Sequence, residues 1–322
     1  MLLDTVNITN DLDEPVMVSI KCMVYNHAPF LRKCLDGFIM QKTKFKFEVI
    51  VHDDASTDDS TDIIKEYAEK YPDIIKPIFE TENQYSKGDG SVGRIMNAAC
   101  HGKYIAICEG DDFWTNSHKL QRQVDFLESH QDYMMCSHNY KIFDGTLKPH
   151  FIDVKYQSVD NYNYYTADLN NYFDIWVCSP LTLMYRNIDF WRDVDVKKFP
   201  AFYDLVSYYY IIKKGKCALL KDNMAVYRRH DGGIYSGKTK FYNYSLELKM
   251  LYKLYDVEKE KTIINGINKR VVGFFFYVLQ QKKYHTAIAI LLKYCTKVPL
   301  KYSLNFIFDI LIRRRLHVKI FS

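Results

Sequence analysis

Along the first 130 residues, short apolar runs alternate with stretches whose apolar side chains recur at helical spacing. The runs "VMVSIKCMV" (16–24), "FEVIVH" (47–52), "IIKPIF" (74–79) and "KYIAIC" (103–108) read as buried strands. Between the first two, Leu31, Leu35, Phe38 and Ile39 fall on one helical face. After the second, "ASTDDSTDIIKEYAEKY" opens with Ser, Thr and Asp, which satisfy free N–H groups at a helix start. A Gly-rich polar loop (83–91) leads into a predicted helix over 92–101. Another begins near Ser117, with Leu120, Val124 and Leu127 on one side.

Strand–helix alternation of this kind predicts an α/β fold, a mainly parallel sheet with helices on both faces. Ligands of such sheets bind beyond the carboxyl ends of the strands. The second half is less regular. Its candidate strands are "YMMCSH", "WVCSPLTLMY", "KCALL" and "AVYRRH", with a helix over 204–214. Three regions result: an extension (1–15), a body (16–238) and a C-terminal amphipathic helical region (239–322). In the last, Ile263, Ile264, Ile267, Val271, Phe274, Phe275 and Val278 share a helical face.

Charge sharpens this division. The net charge is +5, but residues 261–322 hold 12 Lys and Arg against one acid, Asp309, so that stretch carries +11 and the rest −6. A mildly acidic body argues against a nucleic-acid partner. The basic amphipathic tail suits either packing on the body or peripheral contact with an anionic membrane surface. The eight cysteines form no CxxC pair and several lie in apolar runs, as buried thiols of a reducing, cytoplasmic compartment would. The acidic N-terminus shows no leader-like apolar core, and no stretch approaches the roughly 18 apolar residues that span a bilayer.

Two acidic groups stand just past predicted strand ends: Asp53-Asp54, and Glu109-Gly110-Asp111-Asp112 in "YIAICEGDDFW". Clustered carboxylates call for a cation, and Mg²⁺ or Mn²⁺ binds through one or two carboxylates plus substrate phosphates. The plainer reading is a solvated acidic turn that caps the next helix. For Asp53-Asp54 it is helix capping, and for Tyr25 it is packing at a strand end.

Four blocks carry a family resemblance: "VSIKCMVYN" (18–26), "VIVHDDASTDDS" (49–60), "GKYIAICEGDDFWTNSHKLQRQVDFLE" (102–128) and "AVYRRHDGGIYS" (225–236). In this order they resemble the bacterial family 2 glycosyltransferases with the GT-A fold. The resemblance implies a Rossmann-like nucleotide-sugar half (16–130) and an acceptor half (131–238). It implies an inverting, metal-dependent transfer from a nucleotide-sugar donor to a glycan or lipid-linked saccharide acceptor in surface polysaccharide synthesis. The place of action would be the inner face of the cytoplasmic membrane.

By the same resemblance, Tyr25 and Asp54 lie at the donor's base and ribose. Glu109 and Asp111 fill the Asp-x-Asp slot, with Asp111 a ligand of Mn²⁺ or Mg²⁺, Glu109 a donor contact and Asp112 supporting from behind. His230 matches a metal or diphosphate ligand. Of the two arginines before it, Arg228 shares its face and would bind the donor by clamping phosphate oxygens. Asp204 matches the catalytic base, a role compatible with capping the helix it precedes. The family's Ala-Arg-Asn motif is absent, with Arg94 and Asn97 as approximate substitutes. Secondary candidates for the acceptor side are His138, Ser179–Thr182, Trp176 and Trp191, and Trp114 for the donor or the core. Two other readings remain: a nucleotidyltransferase, which normally brings a Gly-rich basic N-terminal loop, and an inactive sugar-nucleotide binding module.

Overall fold

The computed structural model describes residues 14–150, 152, 154–173, 178–188, 199, 204–233, 237–299 and 302–303. The first half follows the predicted alternation: β1 (Val18–Val24), α1 (Ala28–Ile39), β2 (Phe47–Asp53), α2 (Ser60–Lys70), β3 (Ile75–Phe79), α3 (Ser91–Ala99), β4 (Tyr104–Ile107), β5 (Phe113–Trp114) and α4 (Lys119–Ser129). Then come β6 (Tyr133–Phe143), β7 (Leu147–His150), β8 (Gln157–Val159), β9 (Tyr162–Ala167), β10 (Met184–Arg186), α5 (Asp204–Ile212), β11 (Lys216–Arg228), α6 (Lys240–Glu258), α7 (Lys261–Gln280) and α8 (Tyr284–Lys297).

The sheet order is β3-β2-β1-β4-β10-β6-β11-β9-β8, with β5 paired to β11 and β7 to β6. Strands β3, β2, β1 and β4 are parallel. Strand β10 is antiparallel to both β4 and β6, and β6 is parallel to β11. Two reversals cancel, so β6 and β11 run in the same direction as β1 and β4. The carboxyl end of β11, at Arg228, therefore comes to the same rim as the ends of β1, β2 and β4. This topology is what lets residues more than a hundred positions apart meet.

Two expectations for the second half are corrected. "KCALL" and "AVYRRH" belong to one 13-residue strand, β11, not two. Irregular pairing with β6 around Leu220–Ala225 hid their continuity, and Asn139 Nδ2 donates to the freed Lys221 carbonyl there at 3.1 Å. "WVCSPLTLMY" is not a strand along its described part: Pro180–Thr182 form a 3-10 turn and pairing resumes only at Met184. Proline offers no N–H to a ladder, which favours the turn.

Packing settles the tail's main helix. Ile263, Ile264, Ile267, Val271, Phe274, Phe275 and Val278 are buried in one core with α5, α6 and β11 residues such as Tyr209, Leu251 and Leu219. Gly266 belongs to this contact: a Cβ there would stand 2.8 Å from the Phe173 ring, so only glycine admits the ring against α7. Of the two readings of this apolar face, packing on the body is the one seen. Helix α8 keeps an apolar stripe in the open, with Tyr284, Ile288 and Leu292 each more than half exposed. Among the described residues, no helix is long and apolar enough to cross a membrane.

This integration predicts that Ile267→Ala, a truncation at a fully buried position, lowers stability by about 2–5 kcal/mol. In urea unfolding, the main transition of the full chain should shift to lower midpoint. A separate early transition that alone moved would show that the helices fold apart from the sheet.

Candidate active site

The acidic turn is fixed to β1 before it does anything else. Beyond β4, Cys108 N–H donates to the Lys21 carbonyl at 3.1 Å and Gly110 N–H to that of Met23 at 2.9 Å. The turn closes as Asp112 N–H donates to the Glu109 carbonyl at 3.0 Å. Glycine is required at 110: a Cβ would lie 2.8 Å from His27 Nδ1 and 3.0 Å from Val24 Cγ2.

From the other side, β11 grips the turn. The Arg228 backbone N–H donates to Asp112 Oδ1 at 2.8 Å, and its guanidinium donates to the Asp111 carbonyl at 2.6 Å. That guanidinium is buried, 4.4 Å from the Phe113 ring centre. Burial lowers its pKa. Arg228 and Asp112 therefore hold the turn together from behind, and neither carries its charge to the surface.

What the turn presents is Asp111. Its Oδ2 lies 3.0 Å from His230 Nε2 and 4.0 Å from His27 Nε2. Its Oδ1 is buried without a hydrogen-bond partner. An orphaned carboxylate oxygen is costly unless something else binds it. The His230 ring rests on Phe30 of α1, 4.6 Å between centroids. His27 precedes α1, and burial lowers its pKa, with the nearby His230 adding and Asp111 opposing. Sequence reasoning missed His27. Its place right after a strand end was a usable signal, but attention at the rim went to acids.

Electrostatics couple this group to α5. Glu109 is pushed up to about 8, by burial first, then by the charges of Asp111 and Asp204. Asp112 is driven well above the usual range by burial and Asp111. Asp204, the first residue of α5, is pushed up to about 6 by desolvation. The residue nonetheless has exposed surface. The two facts are compatible: one side meets water while protein crowded around the carboxyl thins its solvation. Glu109 and Asp204, both with raised pKa, are thereby suited to proton chemistry.

The other side of the rim is a hydrogen-bonded scaffold. Tyr25 directly follows β1 and is 47% exposed. Asn26 and Ala55 both take left-handed conformations, with φ of 55° and 61°. They are locked by Thr57 N–H to Asn26 Oδ1 at 2.7 Å and Asn26 N–H to Ser56 Oγ at 3.0 Å. Asp54 is buried, and its carboxylate accepts the N–H groups of Gln84 at 2.7 Å and Tyr85 at 3.0 Å. It thereby ties the 83–88 loop to the end of β2.

The other sequence candidates make local or core contacts. Arg94 donates to the Asp89 carbonyl, and Lys21 bonds Asn97. Trp114 is buried and donates to the Leu181 carbonyl at 2.9 Å. His138 is buried too, its Nδ1 2.8 Å from the Asn139 carbonyl. Trp176 and Trp191 lie outside the described residues. All eight cysteines are free thiols.

Among the described residues, no set of three or more His, Cys, Asp or Glu side chains is arranged to enclose a metal. Asp111, with its orphaned oxygen, and His230 nevertheless fit a divalent ion that takes its remaining ligands from a diphosphate, the usual habit of Mg²⁺.

The mixed, mainly parallel sheet flanked by helices, with carboxylates and imidazoles gathered past its strand ends, is of the GT-A type. The chain belongs to glycosyl transferase family 2, whose model matches residues 19–192. An uncharacterized protein of Mycobacterium tuberculosis is 34% identical over 237 residues, 70% of this chain and 63% of that one. The chain thus spans less than two thirds of that relative's length. Over 124 residues (38% of this chain, 46% of the other), it is 30% identical to an Escherichia coli protein. That protein is the UDP-Glc:alpha-D-GlcNAc-diphosphoundecaprenol beta-1,3-glucosyltransferase WfaP. Staphylococcus aureus TarS 1–349, solved with UDP-GlcNAc, matches in fold with a TM-score of 0.64 at 18% identity, covering 92% of this chain and 89% of that one. The mannosyltransferase PcManGT of Pyrobaculum calidifontis, solved with GDP-Man and Mn²⁺, gives a TM-score of 0.56 at 14% identity, covering 92% and 82%.

Proposed function

We propose that this protein is an inverting glycosyltransferase that moves a hexose-type sugar from a nucleotide-sugar to a hydroxyl of a glycan or lipid-linked saccharide, in bacterial surface polysaccharide synthesis. One observation supports the reading: Asp111 and His230, 119 positions apart, meet at 3.0 Å on the turn that also carries Glu109. Tyr25 and the loop that Asp54 anchors would receive the base and ribose. Asp111 and His230 would hold Mn²⁺ or Mg²⁺ against the diphosphate. Such an ion, when bound, neutralises charge that builds on the leaving diphosphate.

Asp204 would take the acceptor hydroxyl's proton as that oxygen attacks the anomeric carbon from the face opposite the diphosphate. A single displacement inverts the centre. Glu109, largely protonated near neutral pH by its raised pKa, would donate a hydrogen bond to the donor. The lipid-linked acceptor is supported by the printed activity of the E. coli relative. Contact with the inner membrane face would fall to α8, where Tyr284, Ile288 and Leu292 stand among Lys282, Lys283, Lys293 and Lys297.

A thermal-shift series with UDP- and GDP-sugars, in Mn²⁺ or in EDTA, tests this. A matched donor at a hundred times its Kd stabilises by about 2.7 kcal/mol, roughly a 5 °C rise. The rise should need the metal, and the bound donor should be hydrolysed slowly without acceptor. No rise with any nucleotide-sugar would overturn the reading. Binding with no turnover under any acceptor would leave only a binding module.

A further inference from the structure

Strand alternation separates two adjacent arginines at the end of β11. Arg228 turns inward and holds the acidic turn from behind, as described above. Arg229 turns the other way and is exposed. Its backbone N–H continues the ladder, donating to the Phe143 carbonyl at 2.8 Å. Among the described residues its guanidinium has no carboxylate partner.

Register explains its neighbours. Tyr140 of β6 pairs with Ala225 of β11 and with His150 of β7. Tyr140, Tyr227 and Arg229 therefore share one face of the sheet with His150. The rings agree: Tyr140 lies 4.5 Å from His150 and 6.4 Å from Tyr227, between centroids. Ser179 Oγ donates to the Tyr140 hydroxyl at 3.4 Å. The Arg229 charge is felt by both Tyr140 and His150. Arg228, between Tyr227 and Arg229, donates its N–H to Asp112 at 2.8 Å, so this strand end borders the acidic turn. His230, next in the chain, is the residue that meets Asp111.

The patch thus combines half-buried rings, hydroxyls and an unpaired guanidinium beside the proposed reaction centre. Rings with polar edges bind sugars along their faces, and a free guanidinium recognises phosphate or carboxylate through paired N–H groups. We infer that the Tyr140–His150–Tyr227–Arg229 face is the acceptor subsite and selects a saccharide bearing a negatively charged group, which Arg229 pairs. The inference rests on the donor site proposed above and adds the class of acceptor.

The test uses the full chain with Mn²⁺ and a saturating nucleoside diphosphate, so that the donor site is already filled. Three probes are titrated by ligand-observed NMR: glucose 1-phosphate, methyl glucuronide and neutral methyl glucoside. At least one anionic probe should bind more tightly than methyl glucoside, and which one does so tells phosphate from carboxylate. Arg229→Gln should weaken that probe by about fivefold or more, as loss of a charged hydrogen-bond pair does. Methyl glucoside and the nucleoside diphosphate should keep their affinities. Tyr227→Ala should weaken all three probes. Equal binding of charged and neutral probes, or an Arg229→Gln variant indifferent to charge, overturns the inference while donor binding stands. Failure of every nucleoside diphosphate to bind instead overturns the donor site, and this subsite with it.

Discussion

Asp204→Asn is expected to lower kcat by about 10²–10⁴-fold, the span general-base catalysis supplies, while donor affinity changes less than about twofold. The asparagine keeps the side chain's shape and its place at the start of α5 but cannot take a proton. The donor's diphosphate is assigned to Asp111 and His230, so its binding has no need of the Asp204 charge. Single-turnover kinetics beside equilibrium donor binding separate the two effects. A variant with the normal rate would remove Asp204 from the chemistry.

The same residue sets a pH signature. Only the ionised carboxylate accepts a proton, and packing pushes the group up to about 6. Turnover at saturating substrate should therefore fall as pH drops through about 6, and Asp204→Asn should abolish that limb of its residual profile. Stability moves the opposite way. A folded pKa above the unfolded value means the native state holds the proton longer, so this group's contribution fades as pH rises from about 4 to 6. Water on the exposed side of the residue keeps the loss modest.

The legible parts of this molecule were those fixed by local periodicity. β1, β2, β3 and β4 appear within two residues of their expected bounds, and α1 and α2 fall inside the stretches read as helical, because apolar runs and periodicity act over a few positions. The rim rule put both acid groups just past strand ends, and the structure has them at the carboxyl ends of β2 and β4. Long-range features were not legible. That Asp54 ties down Gln84 and Tyr85 depends on a loop thirty residues away. That "KCALL" and "AVYRRH" form one strand, β11, was concealed by the irregular pairing around Leu220–Ala225. The tail's amphipathic face gave its helices but not their partner, since a core and a membrane demand the same apolar stripe.

Asp111→Asn is the second large effect. It should remove Mn²⁺-dependent donor binding and lower transfer by about 10²–10³-fold, comparable to losing one preorganised electrostatic contact at a developing charge. The unpartnered Oδ1 makes this residue the natural cation ligand on the turn. Manganese EPR, with and without nucleoside diphosphate, reads the binding directly and does not depend on turnover. Misfolding has its own control. Asp111 repels Glu109 and Asp112, raising both, so the neutral asparagine relieves strain among like charges. The metal-free variant should accordingly melt no lower than the metal-free native protein at pH 8. Undiminished Mn²⁺ binding in a folded Asp111→Asn variant would mean that the ion, if used, is held by other groups, and the rim would lose its central ligand.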